Sequence, residues 1–240
     1  MAVTATAEAA AQSIKTYRHI VVDGARVKWG SPTPGTGAVV TYATVDAAIR
    51  FPAARNCGAL APIAPLLAAN RIDQATFAAE LSAAFAQWSS VADIRFEPAK
   101  PGEEADILIG AQAEPRGRAF TNIEYRTAGR AEVRPLTRSL ICLNPEENWK
   151  AGFDGNLEVY DLRYTLLHEI GHAIGLDHPA IASQLMDFRY LERFRTPQQG
   201  DVQGAVALYG PAFPAAAARD AGDDARRLAT VRPAPRDLGG

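Results

Sequence analysis

Three of the chain's four histidines fall inside one eleven-residue window, His168-Glu169-Ile170-Gly171-His172-Ala173-Ile174-Gly175-Leu176-Asp177-His178, and Met186 follows eight residues later. The run before and within this window is helix-compatible, and a four-residue step stacks His168 and His172 on one helix face, where both imidazoles reach one metal ion. Glu169 stands one position round from His168, better placed to hold a water on that ion than to bind it. Gly175 tolerates the positive φ that ends a helix sharply, so His178 can approach the same ion from a loop. A bare His-Glu-x-x-His falls by chance on many helices, where its histidines are plain surface or core residues. The third histidine at this spacing turns the balance to a zinc site. Three imidazoles leave the fourth position of a tetrahedral zinc open, as in catalytic sites and not in closed structural ones.

The rest of the chain must build a frame for that window. With 240 residues, 48% of them apolar, and a formal charge of −2, it is long enough for one sizeable core and has no charge excess suited to nucleic acid or a membrane surface. No run approaches the ~20 apolar residues of a membrane span. Residues 1–11 are alanine-rich without a basic start or an unbroken apolar stretch, so no signal peptide is visible, and residues 1–16 read as a flexible segment. Residues 17–30 and 39–42 read as extended. Residues 51–70 carry Pro52, Gly58, Pro62 and Pro65 and read as an irregular loop with at most a short helix at 66–69. Residues 76–91 form the clearest amphipathic helix, with Phe77, Leu81, Phe85 and Trp88 on one stripe. Short strands follow at 94–96 and 107–109, and a further one at 117–125. Asp106 reads as a solvated carboxylate at a strand end, and His19 as a surface or partly packed side chain. Asp161 can cap the helix that carries the histidines, Thr196 and Pro197 suit the start of a last helix, and Gly210 its end. Residues 212–240 hold almost no large apolar residue and read as a disordered tail. Cys57 and Cys142 are an even pair compatible with one disulfide in an oxidising compartment.

The window, with its nearby methionine, resembles the metzincin metallopeptidases and among them the matrixins. Residues 17–211 follow that family's order of elements, from Val27-Lys28-Trp29-Gly30 to the closing segment at 201–210. The resemblance implies an α+β fold: a mixed twisted sheet with an edge strand for substrate, a packing helix, the helix bearing the histidines and a C-terminal helix, with residues 51–70 as an insertion. It implies His168, His172 and His178 as ligands of one catalytic Zn²⁺, Glu169 as general base and Met186 as the Met-turn beneath the metal. Ala119 and Phe120 would contact substrate from the edge strand, and Tyr190 would wall the pocket beyond the cut. The implied activity is zinc-dependent endopeptidase on a protein or peptide substrate, by a secreted or periplasmic monomer. The family's second zinc is not expected, because residues 116–132 lack histidine and Cys142 stands where a ligand histidine would be. Calcium stays open through Glu146 and Glu147. Two alternatives remain: a deformylase-type zinc hydrolase using Cys142 as a ligand, and a catalytically silent zinc-containing module that binds proteins.

Overall fold

The computed structural model describes residues 16–52, 54–127 and 131–213. The flexible start and the disordered tail expected from composition lie outside these, apart from Thr16, Ala212 and Phe213. Thirteen strands and four helices follow in order: β1 (Arg18–His19), β2 (Val21–Val22), β3 (Ala25–Lys28), β4 (Ala38–Thr44), β5 (Ile49–Arg50), β6 (Ala59–Ala61), α1 (Ala64–Ala69), α2 (Gln74–Val91), β7 (Ile94–Pro98), β8 (Ile107–Gln112), β9 (Ala119–Tyr125), β10 (Val133–Leu143), β11 (Trp149–Lys150), β12 (Tyr160–Asp161), α3 (Leu162–Ala173), β13 (Leu176–Asp177) and α4 (Gln199–Tyr209). The main sheet runs β7-β4-β8-β10 with parallel neighbours, and β9 closes it antiparallel to β10. This is the expected α+β architecture. Among the described residues no helix is long and apolar enough to cross a membrane.

Period-two alternation along β10 sorts the core. Ser139, Ile141 and Leu143 face the helices, and Ser139 Oγ donates to the carbonyl of Ala173 in α3 at 3.3 Å. Leu140 and Cys142 face the other way, into a small cluster with Val45, Phe51, Cys57 and Leu60. The large cluster joins the sheet to α2, α3 and α4, and the expected stripe Phe77, Leu81, Phe85 and Trp88 is buried in it.

The stretch 51–70 differs from the irregular loop expected of it. It supplies β6, which pairs with β5 and with the end of β8, and a six-residue helix that starts at Ala64. The prolines do not disrupt these elements, because Pro62 follows the strand and Pro65 sits in the first helical turn, where a missing N–H breaks no bond. Cys57 and Cys142 are joined in a disulfide across 85 residues, fastening this stretch to β10. Asp106 is not a solvated carboxylate: its Oδ2 accepts from the Thr41 amide (2.8 Å) and hydroxyl (2.9 Å), tying β4 to the start of β8. The last helix starts later than Thr196-Pro197 suggests. Gln198 is its N-cap, in a reciprocal capping box with Asp201.

Candidate metal centre and cleft

Helix α3 is held at both ends. Asp161 Oδ1 accepts from the Tyr164 amide at 2.8 Å as N-cap, while Arg195 grips both its oxygens at 2.9 Å. At the far end Trp29 Nε1 donates to the Ala173 carbonyl and the Tyr209 hydroxyl to that of Ile174, both at 2.8 Å, so the helix's last acceptors are satisfied. Gly175 then turns the chain at φ +103°, and a Cβ there would lie 2.3 Å from the Val27 carbonyl oxygen. The turn sends His178 back over the helix.

The three histidines converge. His178 Nε2 lies 3.1 Å from His168 Nε2 and 3.1 Å from His172 Nε2. The opposite ring nitrogens fix the tautomers: His168 Nδ1 contacts the Leu185 carbonyl oxygen at 2.9 Å and His172 Nδ1 that of Leu176 at 2.8 Å. A carbonyl oxygen only accepts, so both Nδ1 atoms carry the proton and both Nε2 atoms present lone pairs to the same spot. Burial, with the neighbouring His172 adding to it, drives His168 well below the usual histidine range. Burial also lowers His172 and His178. Neutral nitrogens gathered at this distance repel one another unless a cation lies between them, so the donor set fits a zinc ion.

Glu169 is 3% exposed, and burial raises its carboxyl above the ordinary value, opposed by a hydrogen bond from Thr121 and the charge of Arg118. Thr121 Oγ1 lies 2.7 Å from Glu169 Oε2 and 3.0 Å from its carbonyl oxygen. Sequence reading missed Thr121. The available signal was alternation along β9, which turns every second residue toward α3. Met186 is buried, its Sδ packed where a Cβ on Gly171 would come within 2.3 Å. The turn at 185–186 hangs from one carboxylate: Asp201 accepts from the amides of Leu185 (2.7 Å), Met186 (3.1 Å) and Gln198 (2.7 Å). That role too was missed. Gln198 and Asp201 have the spacing of a capping box, but nothing local tells that the same carboxylate holds a remote turn.

Glu169 and the histidines open onto a cleft of about 1000 Å³ lined along one side by 118–125, including Ala119 and Phe120. Among the described residues β9 pairs only with β10, so its outer edge is free. Residues 54–56 also line the cleft, anchored where Asn122 Oδ1 accepts from the Asn56 amide and Asn122 Nδ2 donates to the Cys57 carbonyl. Tyr190 does not line the cleft as expected. Its hydroxyl accepts from the Asp161 amide and donates to Glu192, both at 2.8 Å, and its ring packs edge-on against Tyr160 and Tyr164. Phe188, 67% exposed, stands beside His178 instead. The disulfide removes the Cys142 sulfur as a ligand, which discards the deformylase-type arrangement.

Comparison with known proteins follows the same lines. The family model described as Matrixin matches residues 66–210. Matrix metalloproteinase-19 of Homo sapiens is 32% identical over 166 residues, 67% of this chain and 31% of that protein. Metalloendoproteinase 1-MMP of Arabidopsis thaliana is 32% identical over 133 residues (53% and 36%), and stromelysin-1 of Rattus norvegicus 32% over 131 (52% and 26%). The match thus covers between 26% and 36% of these relatives' length. A family match that spans the packing helix, the edge strand, the histidine-bearing helix and the turn beneath it places the chain among the matrixins, the family to which it belongs.

Proposed function

We propose that the chain is a zinc-dependent endopeptidase that cuts internal peptide bonds of extended polypeptides. The observation that carries this reading is the convergence of three histidine Nε2 atoms, those of His168 and His172 unprotonated, beside a buried carboxylate at the foot of a free strand edge. His168, His172 and His178 would hold one zinc ion, which when bound supplies Lewis acidity toward a peptide carbonyl and acidifies a water molecule. The edge of β9 offers amide and carbonyl groups to a substrate backbone, lining it up as an added strand with little regard for its side chains. Glu169 accepts the attacking water's proton at a carboxylate oxygen and delivers it to the leaving amide nitrogen. Thr121 steadies Oε2 while this happens. Met186 floors the site through its contact with α3. The disulfide supports a secreted or periplasmic location, since such bonds persist in oxidising compartments.

Elemental analysis together with cleavage of quenched peptides tests this. One zinc per chain and chelator-sensitive cleavage are expected. Glu169→Gln should keep the zinc and the fold while losing about 10²–10⁴-fold in kcat, the usual contribution of a positioned acid–base group. Undiminished cleavage by that variant would overturn the assignment, and zinc binding without any cleavage would leave a binding module.

A further inference from the structure

The charged side chains that line the cleft are mostly accounted for within the protein. Asp23 is held by Arg134 at 2.8 Å, Glu124 lies 3.8 Å from Arg138, and Glu169 is bonded to Thr121. Arg118 is not. It lines the cleft at the entrance to β9, with its guanidinium carbon 5.3 Å from the centre of the Tyr160 ring and 5.5 Å from that of Tyr190. It therefore fills the space between the cleft and the tyrosine that the sequence suggested as its wall. Among the described residues its side chain has neither a carboxylate partner nor a hydrogen bond, and its Nε is buried without one. A buried donor left unanswered is rare enough in folded proteins to need a reason, and a missing ligand is a common one. Arg55, on the side of the cleft lined by residues 54–56, likewise has no ion pair among the described residues.

We propose that Arg118 selects substrates that place a carboxylate beside the scissile bond. This rests on the endopeptidase reading and names the substrate class for it. Two aromatic faces fix the plane of the guanidinium, and a planar fork already held in place loses little freedom when it takes a carboxylate through two parallel N–H···O bonds. Such bonds strengthen where water is excluded. The carboxylate can belong to an internal Glu or Asp side chain or to a chain terminus.

Both sources are separated by peptides of one sequence scanned with Glu, Gln and Leu at the positions flanking the cut, each made with a free and an amidated carboxyl end. Wild-type protein loaded with zinc should favour Glu over Gln by about 10-fold or more in kcat/KM, the range of a charge-assisted pair. That preference should fall to within about twofold in Arg118→Leu, stay partial in Arg118→Lys, and shrink in wild type as salt rises. A preference set by the free end alone assigns the carboxylate to the chain terminus. Equal cleavage of the Glu, Gln and Leu peptides with either end by wild type overturns the inference and spares the endopeptidase reading. A Glu preference that survives Arg118→Leu overturns it as well. Cleavage of none by the zinc-loaded protein overturns both. Should Arg118→Leu fail to fold, Arg118→Gln, which keeps a polar side chain of similar reach without the charge, decides in its place: a Glu preference undiminished in that variant overturns the inference.

Discussion

At the scale of the residue, the site depends on positions where a side chain is absent as much as on those where one is present. Gly175 combines a backbone of φ +103° with a carbonyl oxygen where its Cβ would stand. Neither difficulty can be relieved without moving β3 or the loop that carries His178. Gly175→Ala should therefore destabilise the protein by about 2–4 kcal/mol, adding backbone strain to overpacking. It should also weaken zinc binding, because His178 shifts while His168 and His172 stay on α3. Denaturant titration and competition with a coloured chelator measure the two effects separately. Loss of stability with unchanged zinc affinity would show that the turn does not set the position of His178. The three histidines and Glu169 were legible in sequence because their spacing is local. Thr121, Asp201 and Arg118 were not, since each acts on a residue far away in the chain and a single sequence carries no trace of that pairing.

At the scale of the element, periodicity told the amphipathic helix and the strands at 39–42, 94–96, 107–109 and 117–125 but not β10, the longest strand, and punctuation misled. Pro52, Gly58, Pro62 and Pro65 were read as four interruptions, but short elements fit between prolines when each proline falls where its N–H is not needed. The stretch with Phe51, Cys57 and Leu60 covers the face of the sheet turned away from α3 and sends residues 54–56 to the cleft. The disulfide closes a long loop, a separation of 85 residues, so its removal frees much conformational entropy in the unfolded chain. Replacing Cys57 and Cys142 together by alanine should lower stability by about 2–5 kcal/mol. Because Asn56 and Cys57 also fasten this stretch to Asn122 of β9, the same variant should raise KM for long peptides more than it lowers kcat. A loss confined to kcat would mean that the stretch supports the metal centre and not the substrate's path. Peptide kinetics beside a reducing-agent control distinguish these.

At the scale of the whole molecule, two independent ties fasten the helices to one another and to their loops, and they predict what the metal does for stability. One is the cluster of His168, His172 and His178, which through the proposed zinc ion would join α3 to the loop after Gly175. The other is a network of charges: Arg195 binds Asp161 and Glu80, and Arg163 binds Glu80 at 2.6 Å, joining α2, the start of α3 and the segment before α4. Asp161 is fully buried, so removing its partner leaves a carboxylate inside the protein without its counter-charge. The large apolar cluster runs through both regions and includes Met186 beneath the histidines but none of the proposed ligands, so the core is expected to hold the fold without the ion. Chelation should therefore leave a folded protein whose Tm falls by about 5–10 °C, the effect of withdrawing a ligand bound at roughly a hundred times its dissociation constant from a domain of this size. Arg195→Leu should cost about 3–5 kcal/mol with zinc and without it. Because the two ties share no partner, their effects should add to within about 0.5 kcal/mol, and melting the wild type and the variant with and without chelator completes the cycle. Strong coupling between them would mean that the charge network shapes the histidine site through α3. Unfolding on chelation alone would mean that the zinc ion, and not the apolar core, holds the two halves of the molecule together.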